Sequence, residues 1–164
     1  MYSFIETNRL VLKSLNLDDY IFIKNLVNTE GWIKFIGDRN IKTDDDAKNY
    51  IKKIQDNNAV KYWIVNLKDN NIAIGIITFI KREYLEFHDL GFAFLPDFQK
   101  NGYAFEASTR VIQELKSNQS NSEILATTIP ENKKSIELLE KLGFEFKESI
   151  KNNDESLSVY LKKM

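Results

Sequence analysis

The sequence predicts an α/β domain: one mixed β-sheet with helices on both of its faces. Three observations predict it. Apolar runs of strand length alternate with stretches of helical periodicity along nearly the whole chain. The 164 residues contain only six glycines and two prolines, with no linker and no internal repeat, so residues 1–164 read as one domain. Between Leu90 and Phe105 a strand, a turn and a helix start follow one another directly.

Arg9-Leu10-Val11-Leu12 is the first predicted strand. Leu17-Asp18-Asp19 opens a helix to about Asn28, with acidic residues at its positive end. Residues 30–42 read as irregular, and carry Trp32, Phe35 and Ile36. Thr43-Asp44-Asp45-Asp46 is an N-cap signal for a helix to about Gln55. Val60–Leu67 and Ile72–Ile80 form a hairpin turning at Lys68-Asp69-Asn70-Asn71, and Leu85–Leu95 is the next strand. From Tyr103 a helix places Ala104, Ala107, Val111 and Leu115 on one face. Ile124–Thr128 reads as a strand, and Glu131–Leu142 as a helix closed by Gly143. Phe144–Ile150 and Ser156–Leu161 make a last hairpin, turning at Asn152-Asn153-Asp154. The predicted order is β-α-α-β-β-β-α-β-α-β-β.

Bulk composition excludes several functions. Lys and Arg number 23 against 24 Asp and Glu, so no global charge draws the chain to nucleic acid or acidic membranes. A basic stripe interleaved with aromatics is missing too. Without cysteine there is no disulfide, thiolate metal site or cysteine nucleophile. No apolar run approaches the ~20 residues of a membrane span. The opening MYSFIETNRL lacks a basic segment followed by an apolar one, so the expectation is a cytoplasmic protein with no leader. The Walker A and dinucleotide glycine patterns are absent.

The turn Gln99-Lys100-Asn101-Gly102 between a strand and a helix points to an anion site. The first N–H groups of a helix lack intrahelical partners and carry partial positive charge, so a phosphate is held readily there. Gly102 lets the backbone approach a ligand, and Ala104 keeps the second close position small.

Four patches together resemble the GNAT superfamily of N-acetyltransferases. Gln99–Ala104 matches its Q/R-x-x-G-x-G/A loop for the acetyl-CoA pyrophosphate. ETNRLVLKSLNLDDY resembles the T-x-R-L-x-L-R opening of the branch that includes ribosomal-protein N-terminal acetyltransferases. Gly75-Ile76-Ile77-Thr78 resembles the G-x-I strand that precedes the cofactor strand, and ENKKSIELLEKLGFEF resembles N-x-x-S-x-x-x-x-x-K-x-G-F. The resemblance implies an acyl-CoA N-acyltransferase fold. It implies direct acetyl transfer to a primary amine in a ternary complex, with no metal and no covalent intermediate. The acceptor is a protein N-terminus or a small amine, and the protein a monomer or homodimer whose exposed edge strand near the C-terminus could pair.

The resemblance also assigns residues. Phe92, Ala93 and Phe94 would pair with the pantetheine arm, whose amides mimic a strand edge. Gln99, Lys100, Asn101, Gly102, Tyr103, Ala104 and Phe105 form the pyrophosphate loop, and Asn132 contacts the cofactor. Trp32 and Phe35 lie in the segment that walls the acceptor. Many relatives place a tyrosine seven residues after the asparagine as acid for the departing thiolate. Here that position is Leu139, which shifts the role to Ser135. Phe94 N–H is the candidate oxyanion donor. For the base there are two candidates, His88 and Asp89, which alternation puts on opposite strand faces. Each residue also has a structural reading: Gly102 as a turn glycine, Asn132 as an N-cap, Ser135 in a local backbone bond, His88 and Asp89 as strand residues, and Trp32 and Phe35 as core. A rival function, a non-catalytic acyl-CoA sensor or scaffold, draws weight from the missing tyrosine.

Overall fold

The computed structural model describes residues 4–118 and 121–164. The first three residues of the leader reading lie outside them. Eight strands form one sheet: β1 (Phe4–Glu6), β2 (Leu10–Ser14), β3 (Val60–Leu67), β4 (Ala73–Ile80), β5 (Asp89–Phe94), β6 (Glu123–Thr128), β7 (Glu145–Asn152) and β8 (Glu155–Lys163). The order across the sheet is β1-β2-β3-β4-β5-β6-β8-β7. Among the described residues only β5 and β6 run parallel. Five helices, α1 (Tyr20–Val27), α2 (Glu30–Phe35), α3 (Asp44–Gln55), α4 (Tyr103–Ser117) and α5 (Lys133–Lys141), cover both faces.

Strand alternation sorts the core into two halves. Ile77, Phe79, Leu90 and Phe94 point to the face covered by α4 and α5, where Val111, Leu115 and Leu139 meet them. Ile64 and Ile76 point to the other face, beneath Ile23, Leu26, Ala47 and Ile51 of α1 and α3. Gly75 sits directly beneath the Phe94 ring, where a Cβ would come within 2.4 Å. This close approach explains why β4 carries a glycine opposite Phe94.

The predicted element order holds, with two additions. The three-residue β1 is too short to show a period. α2 occupies the segment expected to be irregular, capped by the Thr29 side chain, which accepts from Trp32 N. The strand expected from Leu85 starts only at Asp89. Residues before it turn instead, with Lys81 Nζ donating to the carbonyls of Leu85 and Glu86. Thr43 caps α3 in a reciprocal box with Asp46. The last hairpin turns at Asn153 and Asp154, both left-handed. β7 is the exposed outer edge strand at the C-terminal end of the sheet.

Candidate functional site

The sheet splits at its centre. β5 and β6 pair at one position, Asp89 with Leu125, and Leu125 N donates to His88 O at 2.9 Å. Beyond it the strands separate toward Phe94 and Thr128, leaving a wedge-shaped gap. Backbone direction alternates along a strand. Leu95 N donates to Ile74 O on β4, whereas His88 O faces β6. The amides of Phe92 and Phe94 therefore face the gap, and that of Ala93 is spent on β4. Ala93 lines the site only with its methyl group, on the α1–α3 face. The Phe94 carbonyl takes a hydrogen bond from Gln99 Nε2 at 3.1 Å, which ties the following loop to the strand.

That loop stands at the open end of the gap. A short 3-10 turn, Pro96–Phe98, leads from β5 into Gln99. Lys100 has φ +63° and Gly102 +79°, and α4 starts at Tyr103. Two left-handed residues in such a short stretch turn the backbone sharply just ahead of a helix N-terminus, the kind of backbone from which anion nests are built. Ala104 and Phe105 belong to the first turn of the 15-residue α4.

On the far side of the gap, α5 starts at Lys133, not at Glu131 as expected. Asn132 is its cap, its Oδ1 accepting from Ser135 N at 3.3 Å. Asn132 Nδ2 and Ser135 Oγ have no hydrogen-bond partner among the described residues, so both remain available to a ligand. Leu139 is fully buried in the core.

The two base candidates are placed differently. His88 lies behind the closed end of the gap, its ring stacked on Phe79 at 4.6 Å. Burial, helped by Lys81 and Lys61, lowers its pKa below 6.5, so it is neutral at pH 7. Asp89 stands at the apex itself and is buried. Its Oδ2 takes Arg82 Nε at 2.5 Å and its Oδ1 takes Thr127 N at 2.9 Å, with Thr127 Oγ1 in reach of both oxygens. Burial pushes the Asp89 carboxyl up, against the pull of Arg82 and Thr127. In a continuing parallel ladder, Thr127 N would donate to β5 backbone. Here the Asp89 side chain accepts that N–H instead, two residues past the last pair. Asp89 thus acts as the wedge that lets the strands separate without orphaning an amide.

Around that wedge lies a polar cluster the sequence reading missed. Tyr62 on β3 lies beside Thr78, which lies beside Gly91. Its hydroxyl meets that of Tyr50 from α3 at 3.5 Å. Burial, then Tyr50, drives the Tyr62 pKa far up, so it stays a neutral hydroxyl. Gly91 is required here because a Cβ would come within 2.6 Å of Thr78 Oγ1. Tyr62 on β3 and Arg82 in the turn before β5 gave no signal, since each reads as an ordinary strand or turn residue.

The acceptor-wall residues separate too. Trp32 is 5% exposed and packs in the α1–α3 core, its Nε1 without a partner among the described residues. Phe35 is half-buried, with Lys34 over its ring at 5.0 Å. The exposed apolar surface of this segment comes from Ile33 and Ile36. Among the described residues no group of three or more metal-ligating side chains forms, and no helix is long and apolar enough to cross a membrane.

Comparison with known proteins bears on this geometry. The acetyltransferase (GNAT) domain family matches residues 9–145. An uncharacterised N-acetyltransferase of Bacillus subtilis, YnaD, is 29% identical over 139 residues, covering 85% of this chain and 81% of its own. The crystal structure of a GNAT-family acetyltransferase from Bacillus anthracis superposes with a TM-score of 0.81 at 26% identity, over 98% of both chains. RimL, the ribosomal L7/L12 alpha-N-protein acetyltransferase, solved with coenzyme A, superposes with a TM-score of 0.85 at 11% identity, over 98% of both chains, a likeness of fold.

Proposed function

This chain belongs to the GNAT acetyltransferase family, and on that premise we propose that it transfers acetyl from acetyl-CoA directly to an amine in a ternary complex. The observation that carries the reading is the juxtaposition of the split between β5 and β6 with the nest at Lys100–Gly102. The gap offers unpaired strand amides to an extended arm, and the nest offers N–H groups to a pyrophosphate. Acetyl-CoA, when bound, supplies a thioester carbonyl and a thiolate leaving group.

The chain's own residues have separate roles in this reading. Phe92 and the loop from Gln99 to Phe105 hold the arm and the phosphates, with Asn132 Nδ2 on the opposite lip. Phe94 N–H faces the gap and stabilises the oxyanion. Ser135 Oγ donates to the leaving thiolate. Asp89 and His88 take other roles than a base in this reading. Both Asp89 oxygens are engaged by Arg82 and Thr127, and His88 lies behind the apex. The amine proton leaves through water, with Asp89 holding the site open. Trp32 supports the acceptor wall from below, and Phe35, Ile33 and Ile36 contact the acceptor. A protein N-terminal amine is suggested by the resemblance of the opening ETNRLVLKSLNLDDY to the ribosomal-protein branch, with a small amine as the second class. A cytoplasmic location and a monomer or homodimer complete the proposal.

The test is calorimetric titration with acetyl-CoA, CoA and ATP, followed by a panel of a free-N-terminus peptide, a polyamine and an aminoglycoside. Micromolar binding of the first two but not ATP, and turnover of a panel member, are expected. Binding without turnover of any amine would favour a sensor. In the same assay Ser135→Ala is expected to lower kcat about tenfold, the size of losing one hydrogen bond to a developing charge, about 1.5 kcal/mol. His88→Ala is expected to leave kcat within about twofold, and a loss approaching the ~100-fold of a general base would return His88 to the mechanism.

A further inference from the structure

Resting on the reading of Gln99–Phe105 as a phosphate loop, we infer that Arg9 and Glu106 are positioning residues that fix this loop in its anion-binding shape. The T-x-R-L opening of the sequence has no part in the chemistry above, yet the fold brings it to the back of the loop. Arg9 Nη1 donates to Asn101 O at 3.0 Å, and Nε donates to Glu106 Oε2 at 2.7 Å. Its guanidinium lies 4.4 Å from the centre of the Tyr103 ring. Glu106 is itself fixed: Thr7 Oγ1 and Arg9 N both donate to its Oε1, at 2.6 and 3.0 Å, and its own N–H closes on Gly102 O. Burial would raise the Glu106 pKa, but these donors outweigh it and hold the carboxyl below its usual value, so Glu106 is a carboxylate at neutral pH.

The peptide plane explains the consequence. In a trans peptide the carbonyl of Asn101 and the N–H of Gly102 point in opposite directions. Arg9 draws that carbonyl outward, toward the β1–β2 hairpin, and so aims the Gly102 N–H into the concave side. Gly102 tolerates either orientation of this peptide, and Lys100 holds an unfavourable left-handed conformation. The loop sequence alone does not select the shape that binds phosphate. A planar guanidinium making two directed bonds while stacking on Tyr103 does, and a lysine cannot reproduce it.

Lys68 provides the control. Its Nζ donates to Thr7 O and pairs with Glu6, so it fastens the same hairpin without touching the loop. The experiment measures the Kd for CoA, the KM and kcat for acetyl-CoA, and Tm in the full-length parent, Arg9→Gln, Arg9→Lys and Lys68→Ala. Arg9→Gln is expected to raise both Kd and KM about tenfold with kcat within about twofold, Arg9→Lys to rescue little, and Lys68→Ala to bind CoA as the parent does. Parent-like Kd in Arg9→Gln overturns the inference, as does an equal loss in Lys68→Ala, which would make the network a hairpin staple only. If the parent itself binds no CoA, the reading of the loop fails first and the inference falls with it.

Discussion

Gly102→Val is expected to raise the Kd for CoA about 100-fold, which corresponds to about 2.7 kcal/mol, while Tm falls by only a few degrees. The cause is the backbone. Gly102 has φ +79° as the residue before α4, and a left-handed L-residue costs roughly 1–2 kcal/mol, more when β-branched. Space is not the obstacle behind the loop, because a Cβ would meet Arg9 Nη2 at 3.4 Å, an ordinary contact. Valine therefore either keeps the nest at the cost of strain or relaxes to negative φ and turns the first amides of α4 away from the phosphates. Both outcomes weaken binding, and the second removes the hydrogen bonds outright. Gly102→Ala, with less strain and a smaller side chain, is expected to lose about tenfold. Calorimetric titration of CoA into the two variants, with Tm alongside, tests this. Parent-like affinity in Gly102→Val would remove the loop assignment.

The order of elements was legible because long amphipathic helices and apolar strands carry strong periods. Thr43 with its acidic triplet, and Gly143 after α5 with φ +85°, marked helix ends that the fold keeps. β1 and α2 were not legible. Three residues carry no period, and Gly31 beside a lone Trp masked a six-residue helix. For the site, the loop was readable because its constraints are local, a turn, a glycine and a helix start. The remainder depends on contacts across the chain. Nothing near Asp89 in sequence shows that Thr127 N, 38 residues away, will need its carboxylate. Nothing near Arg9 shows that Glu106 and Asn101 lie beside it. Alternation placed His88 and Asp89 on opposite faces but could not show that one sits behind the gap and the other at its apex.

The second large effect concerns that apex. Asp89→Asn is expected to destabilise the protein by about 3–5 kcal/mol, the range for removing one partner of a buried ion pair, lowering Tm by roughly 10 °C for a chain of this size. Asparagine keeps the volume but offers a single carbonyl oxygen to two donors, Arg82 Nε and Thr127 N. Its own NH2 group must then face one of them, and Arg82 is left partly buried without its counter-charge. A double-variant cycle separates the ion pair from the wedge. Arg82→Leu alone strands the carboxylate, whereas Asp89→Leu with Arg82→Leu removes both charges and leaves Thr127 N as the orphan. If the pair were the whole of the effect, the double variant would recover most of the stability. Because Asp89 also accepts the amide freed where β6 departs from β5, about 1–3 kcal/mol of the loss is expected to persist in the double variant. Chemical denaturation of the parent, Asp89→Leu, Arg82→Leu and the double variant measures this. A double variant as stable as the parent would show that the gap opens without Asp89 and that the carboxylate serves only to neutralise Arg82.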